Sequence, residues 1–386
     1  RRAYFSTESS STRRKNEFFK ISRRRMDAKH HGPDSLLYSA IYPVVFVMKV
    51  FGLAPYDFTG DQIVPSNCFL LFSFTFMAIY CYIIYIVYIR FLAVQREKAI
   101  LKVVETTKVT VNYLIAMYDL LSTICTRKAF CRIWNVQQDF DERLSQLGYP
   151  RKEVKTRIAT WFLLISQIVI WTAVNLTGMF AFGETWLFNV SYMCLYVGTA
   201  ASVYKFFGMA SFLGQRFHQL NQIARENLPP RRNTALMFYW KKTIQDLHGE
   251  LMLSGESLGS LYSWSLFFWL GNLSVHSISN LYFIIDWVIL TDDRDIPWPL
   301  IFNMCCWLVG FIAQLLALHI VCDYTSSEVT TVRDFSIVRI FFLQDTVGTA
   351  LNFLNRRLCF SAGGLFDVKL SLLCSVNAFS IFSAGK

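Results

Sequence analysis

Long stretches without Asp, Glu, Lys or Arg alternate along this chain with short basic segments. Five stretches run Ile63 to Ile89, Ile158 to Gly183, Thr185 to Tyr204, Ser257 to Ile285 and Ile296 to Cys322, holding 27, 26, 20, 29 and 27 residues. A bilayer core of roughly 30 Å needs about 20 apolar residues in helical form, so each predicts a membrane-spanning helix. A sixth, Val109 to Thr126, is interrupted by Asp119, and a seventh, Leu370 to Gly385, holds 16 residues. Cys68 to Ile89 carries twelve Leu, Ile, Phe or Val, about −5 kcal/mol of insertion free energy with no charge to oppose it. Val109 to Thr126 carries seven, about −3 kcal/mol, which Asp119 roughly cancels. That span is expected to insert with help from neighbouring helices.

Periodicity continues between the spans. Phe130, Ile133, Trp134, Phe140, Leu144 and Leu147 fall near i, i+3 and i+4, predicting an amphipathic helix that Gly148 and Pro150 end. After Pro229 and Pro230, the residues Met237, Trp240, Ile244, Leu247 and Leu251 keep a 3,4,3,4 spacing that runs into the fifth span. This is either a heptad seam that extends the membrane helix into the cytosol or an amphipathic loop helix.

Charge orients the spans. With the N-terminus inside, 29 Lys and Arg fall in inner segments and six in outer loops; without residues 1–25 the ratio is 20 to 6. The positive-inside rule therefore puts the N-terminus in the cytosol. The expected fold is an all-α membrane protein of seven transmembrane helices, N-terminus cytosolic, with helices extending into a cytosolic bundle. Residues 1–25 are Ser- and Arg-rich without apolar period, and read as a disordered, non-native extension preceding a start at Met26, or as a basic arm attracted to anionic lipid. Residues 26–67 form a cytosolic N-terminal segment, 68–322 six spans with helical cytosolic loops, and 323–386 a cytosolic helix plus a truncated seventh span.

Composition narrows the function classes. Hydrophobic residues make up 54% and charged ones 17% of the 386 residues, which excludes a disordered chain or a soluble multidomain protein. Of the net +11, residues 1–30 hold +7, so the positive charge is a tail and not a nucleic-acid-binding face. The six His and ten Cys show no metal-ligand spacing, and no cofactor is expected. Gly255-Glu-Ser257-Leu-Gly259 matches the nucleophile-elbow spacing but lies within a helical pattern, so no enzyme is expected. The sequons at Asn175, Asn189 and Asn272 lie in or near spans, where glycosylation has poor access.

Candidate ligand-binding residues are Tyr113, Asp119, Trp171, Trp186, Tyr192, His276, Tyr282 and Trp298. Together they suit an outward-facing pocket that stacks a small polar ligand; individually the Trp and Tyr also suit the interfacial belt. Asp119, ionisable within the bilayer, either lines a hydrated cavity or makes a structural hydrogen bond.

Near the C-terminus, Asn355-Arg356-Arg357-Leu-Cys-Phe360-Ser-Ala-Gly-Gly364-Leu-Phe366, then Leu370-Ser-Leu-Leu373, resembles the end of insect gustatory receptors. Arg356, Arg357, Phe360, Gly364 and Phe366 carry the motif, and Pro43 and Gly52-Leu-Ala-Pro55-Tyr56 resemble the family's region before its first span. The resemblance implies a plasma-membrane, multi-pass, ligand-gated cation channel subunit in a homo- or heterotetramer, responding to a small-molecule tastant amid membrane lipids. It also implies that the seventh helix lines the pore, which makes Leu373, Asn377 and Phe379 pore or gate candidates. Two features depart from the family: Lys369 stands where Asp or Asn is usual, and the closing Thr-Tyr, five residues, Gln-Phe pattern is missing. The alternatives are a metabotropic receptor signalling through a G protein, or a non-conducting truncated subunit. Against the former, Asp-Arg-Tyr after the third span and Asn-Pro-x-x-Tyr in the seventh are absent, and the orientation is inverted.

Overall fold

A computed structural model describes residues 36–93, 99–151, 153–227, 234–290, 298–341 and 357–371. They form helices α1 (Leu36–Val50), α2 (Asn67–Ala93), α3 (Ala99–Gln146), α4 (Glu153–Phe182), α5 (Trp186–Asn227), α6 (Thr234–Ile285) and α7 (Trp298–Phe341). Two antiparallel hairpins join them: β1 (Tyr56–Thr59) with β2 (Gln62–Pro65), and β3 (Ser361–Ala362) with β4 (Phe366–Asp367). Helix α6 runs on into a π turn at Asp286–Leu290, and Leu370 and Ser371 open a further helix.

Helix lengths give the architecture. At 1.5 Å per residue, α3, α5, α6 and α7, with 48, 42, 52 and 44 residues, are about 63–78 Å long and cannot fit within a 30 Å core. They must continue well beyond the membrane. The expected extensions are there: Phe130, Ile133, Trp134, Phe140 and Leu144 are buried along α3, as are Ile244, Leu247 and Leu251 along α6. Trp240 meets Tyr149 edge to face at 6.5 Å. The side chain of Met237 lies outside the described residues.

By length and composition, Asn67–Arg90, Val103–Gln146, Glu153–Phe182 and Trp298–Thr331 qualify as spans. Only 17% of the α2 and α4 windows is buried, against 44% for α3 and α7, so α2 and α4 are the outer, lipid-facing helices. Helix α5 touches every other described helix and packs most extensively on α7. Its Gly198-Thr-Ala-Ala-Ser202 run is buried, which explains why this central helix is less apolar than the peripheral ones.

Two expected boundaries are corrected. Ile63 does not open the first span: Ile63–Pro65 belong to β2, tied to α3 by Ile63 N to Asn135 Oδ1 at 2.9 Å and Asn135 Nδ2 to Ile63 O at 3.0 Å. Helix α2 starts at Asn67, where the Ser66 hydroxyl accepts from Phe69 N as an N-cap. Leu36–Val50 is helical across Pro43, with Leu37, Ala40, Ile41, Val45 and Met48 burying one face. Second, Lys102 and Lys108, counted among the six outer-loop basic residues ahead of the Val109–Thr126 span, already belong to α3. Residues 1–35, Arg356, Leu373, Asn377 and Phe379 lie outside the described residues.

Candidate functional site

In the half of the bundle away from the helical extensions, five helices bring aromatic rings together. Tyr113 comes from α3, Trp171 from α4, Tyr192 and Tyr196 from α5, His276 from α6, Trp307 and Phe311 from α7. Trp307 is the hub: its ring lies 4.9 Å from Tyr196, 5.6 Å from Trp171, 6.2 Å from Tyr192 and 5.4 Å from Phe311, the last stacked. Tyr196 meets His276 edge to face at 5.5 Å, and His276 lies 4.6 Å from Phe311. Polar groups frame the rings. Tyr113 donates to Tyr192 O at 3.1 Å, Asn272 Nδ2 to Asn112 Oδ1 at 2.9 Å, and Lys108 Nζ to Asn280 Oδ1 at 2.9 Å.

Tyr113, Trp171, Tyr192 and His276 thus meet as a group. Trp186, Tyr282 and Trp298 stand apart, 57%, 59% and 63% exposed on the bundle's outside, where the interfacial-belt role fits. Tyr196, Trp307 and Phe311 escape a search for single polar or aromatic landmarks. Their signal was the i, i+4 spacing of Trp307 and Phe311, and of Tyr192 and Tyr196, which puts each pair on one helix face.

Asp119 belongs elsewhere, about two turns further along α3. It is buried, and Trp269 Nε1 of α6 donates to its Oδ2 at 2.8 Å. Nearby, Lys205 of α5 is also buried; its Nζ donates to Leu53 O at 2.8 Å and sits 4.4 Å from the Phe130 ring centre. Further along, Arg216 donates to both Asp141 oxygens, at 3.0 and 2.6 Å, and to Gln137 O and Oε1. Burial pulls the Arg216 pKa down, and Asp141 opposes that shift.

The motif residues build the approach to the helix that opens at Leu370. Gly363 and Gly364, with φ of 60° and 73°, are the central residues of a turn closed by Leu365 N donating to Ala362 O at 3.0 Å, within the three-residue loop between β3 and β4, and both positions favour glycine. Gly363 N donates to Ser263 O at 2.9 Å, and Ser263 Oγ to Ser361 O at 3.0 Å, fastening the hairpin to α6. Phe360 is fully buried, edge to face with Phe206 at 5.6 Å. Arg357 and Phe366 are exposed, and Lys369 pairs with Asp367 at 3.3 Å.

The nucleophile-elbow spacing at Ser257 lies mid-helix in α6, without the strand its chemistry requires. Asn189 and Asn272 are buried, closing those sequons to glycosylation. Among the described residues, no group of three His, Cys, Asp or Glu is arranged to hold a metal.

Known proteins agree with this architecture. No curated protein matches the chain. Among solved structures, the insect olfactory receptor OR5 from Machilis hrabei is similar, with a TM-score of 0.57 and 12% identity over 90% of this chain and 97% of that one. The same receptor in complex with eugenol gives the same score and identity over 90% and 96%. At that identity the likeness shows the fold alone. The family described as 7tm Chemosensory receptor matches residues 41–346, well over half of the sequence. The resemblance carried by the C-terminal motif and the all-α membrane fold therefore agree, and the chain belongs to the 7tm chemosensory receptor family.

Proposed function

We propose that the chain is a gustatory receptor subunit: a ligand-gated cation channel of the plasma membrane that responds to a small-molecule tastant within a homo- or heterotetramer. The observation that carries this reading is the convergence of seven rings from five helices, with Trp307 touching four of the others and Tyr113 and His276 joining through Tyr196. Such a cluster offers stacking faces, with Asn112, His276 and Lys108 adding polar groups at its edge, the mixture small-ligand sites use. Tyr192 and Trp307 are its part-exposed members, so a ligand enters by parting these two. The motif at Phe360, Gly364 and Phe366 supports the gustatory branch, and the structurally similar olfactory receptor binds eugenol, a small molecule with an aromatic ring.

A ligand that wedges between rings on α5, α6 and α7 changes how those helices pack. Phe206 of α5 and Ser263 of α6 hold the hairpin before Leu370, so the same helices reach the start of the next span. The test is whole-cell recording against a broad tastant panel, with the chain expressed alone and with a second gustatory subunit. An evoked cation current whose half-maximal concentration rises at least ten-fold in Trp307→Ala, about 1.4 kcal/mol of binding, supports the site. No current under any pairing contradicts the channel reading.

A further inference from the structure

Along one face of α3 the exposed side chains change character abruptly. Val111, Leu114, Leu121 and Cys125 are exposed, and so are Lys128 and Arg132. Their spacings of 3, 7, 4, 3 and 4 residues put all six on one side of the helix. A face that meets acyl chains along its apolar part therefore runs straight into two cations, one turn apart. Helix α2 marks the same level. It begins at Asn67, and its exposed apolar side chains follow from Leu71 and Phe72. Arg127 of α3 joins the two helices here, donating to Ser66 O at 3.2 Å and to Asn67 Oδ1 at 3.4 Å. Lipid-facing surface and positive charge thus meet at one boundary, on the side that the basic excess marks as cytosolic.

These three cations differ from the arginines deeper in the helical extensions. Arg143 is paired with Glu250, Arg151 with Asp141 and Glu153, and Arg216 with Asp141. Lys128 and Arg132 have no acidic partner among the described residues, and Arg127 meets only neutral oxygens. Uncompensated positive charge at a membrane boundary attracts anionic headgroups over about a Debye length. We propose that this end of α3 binds an anionic glycerophospholipid of the inner leaflet. Lys128 and Arg132 hold its phosphate, Arg127 adds charge, and its acyl chains lie along the apolar face that Leu121 and Leu114 present. Arg132 supplies a fork of N–H donors that fits two phosphate oxygens, and Lys128 a compact charge. A zwitterionic lipid brings a cation of its own into the same field, whereas a net negative headgroup does not, which sets the preference. The bound lipid ties the α2–α3 pair to the leaflet at a place separate from the aromatic cluster.

Native mass spectrometry of the full receptor, released from detergent micelles with added lipid, reads this without any tastant response. Palmitoyl-oleoyl phosphatidylserine and palmitoyl-oleoyl phosphatidylcholine share acyl chains and differ in net charge. The serine lipid is expected to bind about ten-fold more tightly or better, the effect of two basic side chains at a charged surface. Lys128→Gln with Arg132→Gln is expected to abolish that preference. Lys155 and Arg157 of α4 are also exposed, but two residues apart they face different sides of their helix. Lys155→Gln with Arg157→Gln therefore removes the same net charge and is expected to keep the preference. Equal affinity of the unmodified receptor for the two lipids, a preference that survives the α3 substitutions, or an equal loss in the α4 variant overturns the proposal. Displacement of the serine lipid by millimolar inorganic phosphate also overturns it, since the ligand would then be a soluble anion. Should the α3 variant melt early, Arg132→Gln alone decides: a loss of about three-fold or more is expected, and no loss contradicts the site.

Discussion

Asp119, Lys205 and Arg216 are held by different means, and each implies a different response to mutation. Asp119→Asn keeps an oxygen acceptor for Trp269 Nε1, whereas Asp119→Leu strands that buried donor and is expected to cost about 1–3 kcal/mol. A thermal melt of the purified receptor should show a clear loss for leucine and a much smaller one for asparagine. Arg216 is buried on two Asp141 oxygens, so Arg216→Ala removes the bidentate partner of a carboxylate that keeps Arg151 at 3.1 Å, and is expected to cost about 1–3 kcal/mol. Arg216→Lys cannot supply the bidentate fork and recovers only part of that loss; surface expression and melting together read it out. At this scale the sequence was unevenly legible. Asp119 stood out because it interrupts an apolar run, but Lys205 and Arg216 sit just past the end of one and look like ordinary loop charges. Only the tertiary contacts to Leu53 and Asp141 show that they are buried.

Among the elements, the α5–α7 contact is the most extensive in the bundle, and it depends on small residues. A Cβ at Gly214 would lie 2.6 Å from Tyr324 Cε1 and 3.0 Å from Thr325 Oγ1, so Gly214→Ala must push a ring aside and is expected to destabilise by about 1–3 kcal/mol. Gly208, on the same helix with nothing near its would-be Cβ, is the control: Gly208→Ala should leave the melting temperature the same or higher. Helical periodicity alone made the inner faces of α3 and α6 legible, since Phe130 to Leu144 and Ile244 to Leu251 are buried as spaced. The continuity of α3 from Ala99 to Gln146 was not, because Asp119 and the basic residues around 127–132 divide its apolar pattern into two. The β1–β2 hairpin was hidden as well. Its strands are four residues each, too short for alternation to stand out, and Ile63 to Pro65 merged with the apolar run of α2.

Taken as a whole molecule, the basic excess lies on the side where α3, α5, α6 and α7 extend, and those extensions are rich in ion pairs such as Arg151–Asp141 and Arg143–Glu250. The charge rule puts that side in the cytosol. An epitope tag at the N-terminus is accordingly expected to stain only after permeabilisation, whereas staining of intact cells would reverse the orientation. Fold class was legible from apolar run length and loop charge together; the aromatic cluster was legible only in part, since Trp186, Tyr282 and Trp298 share its residue types but face outward. The central claim is that ligand binding opens the protein's own pore. Outside-out patches excised from expressing cells, bathed without guanine nucleotide on the inner face, test it most directly. The account predicts a tastant-evoked cation current that persists in the excised patch and is weakened by Trp307→Ala. A response present in intact cells that vanishes on excision and returns only with GTP would contradict it.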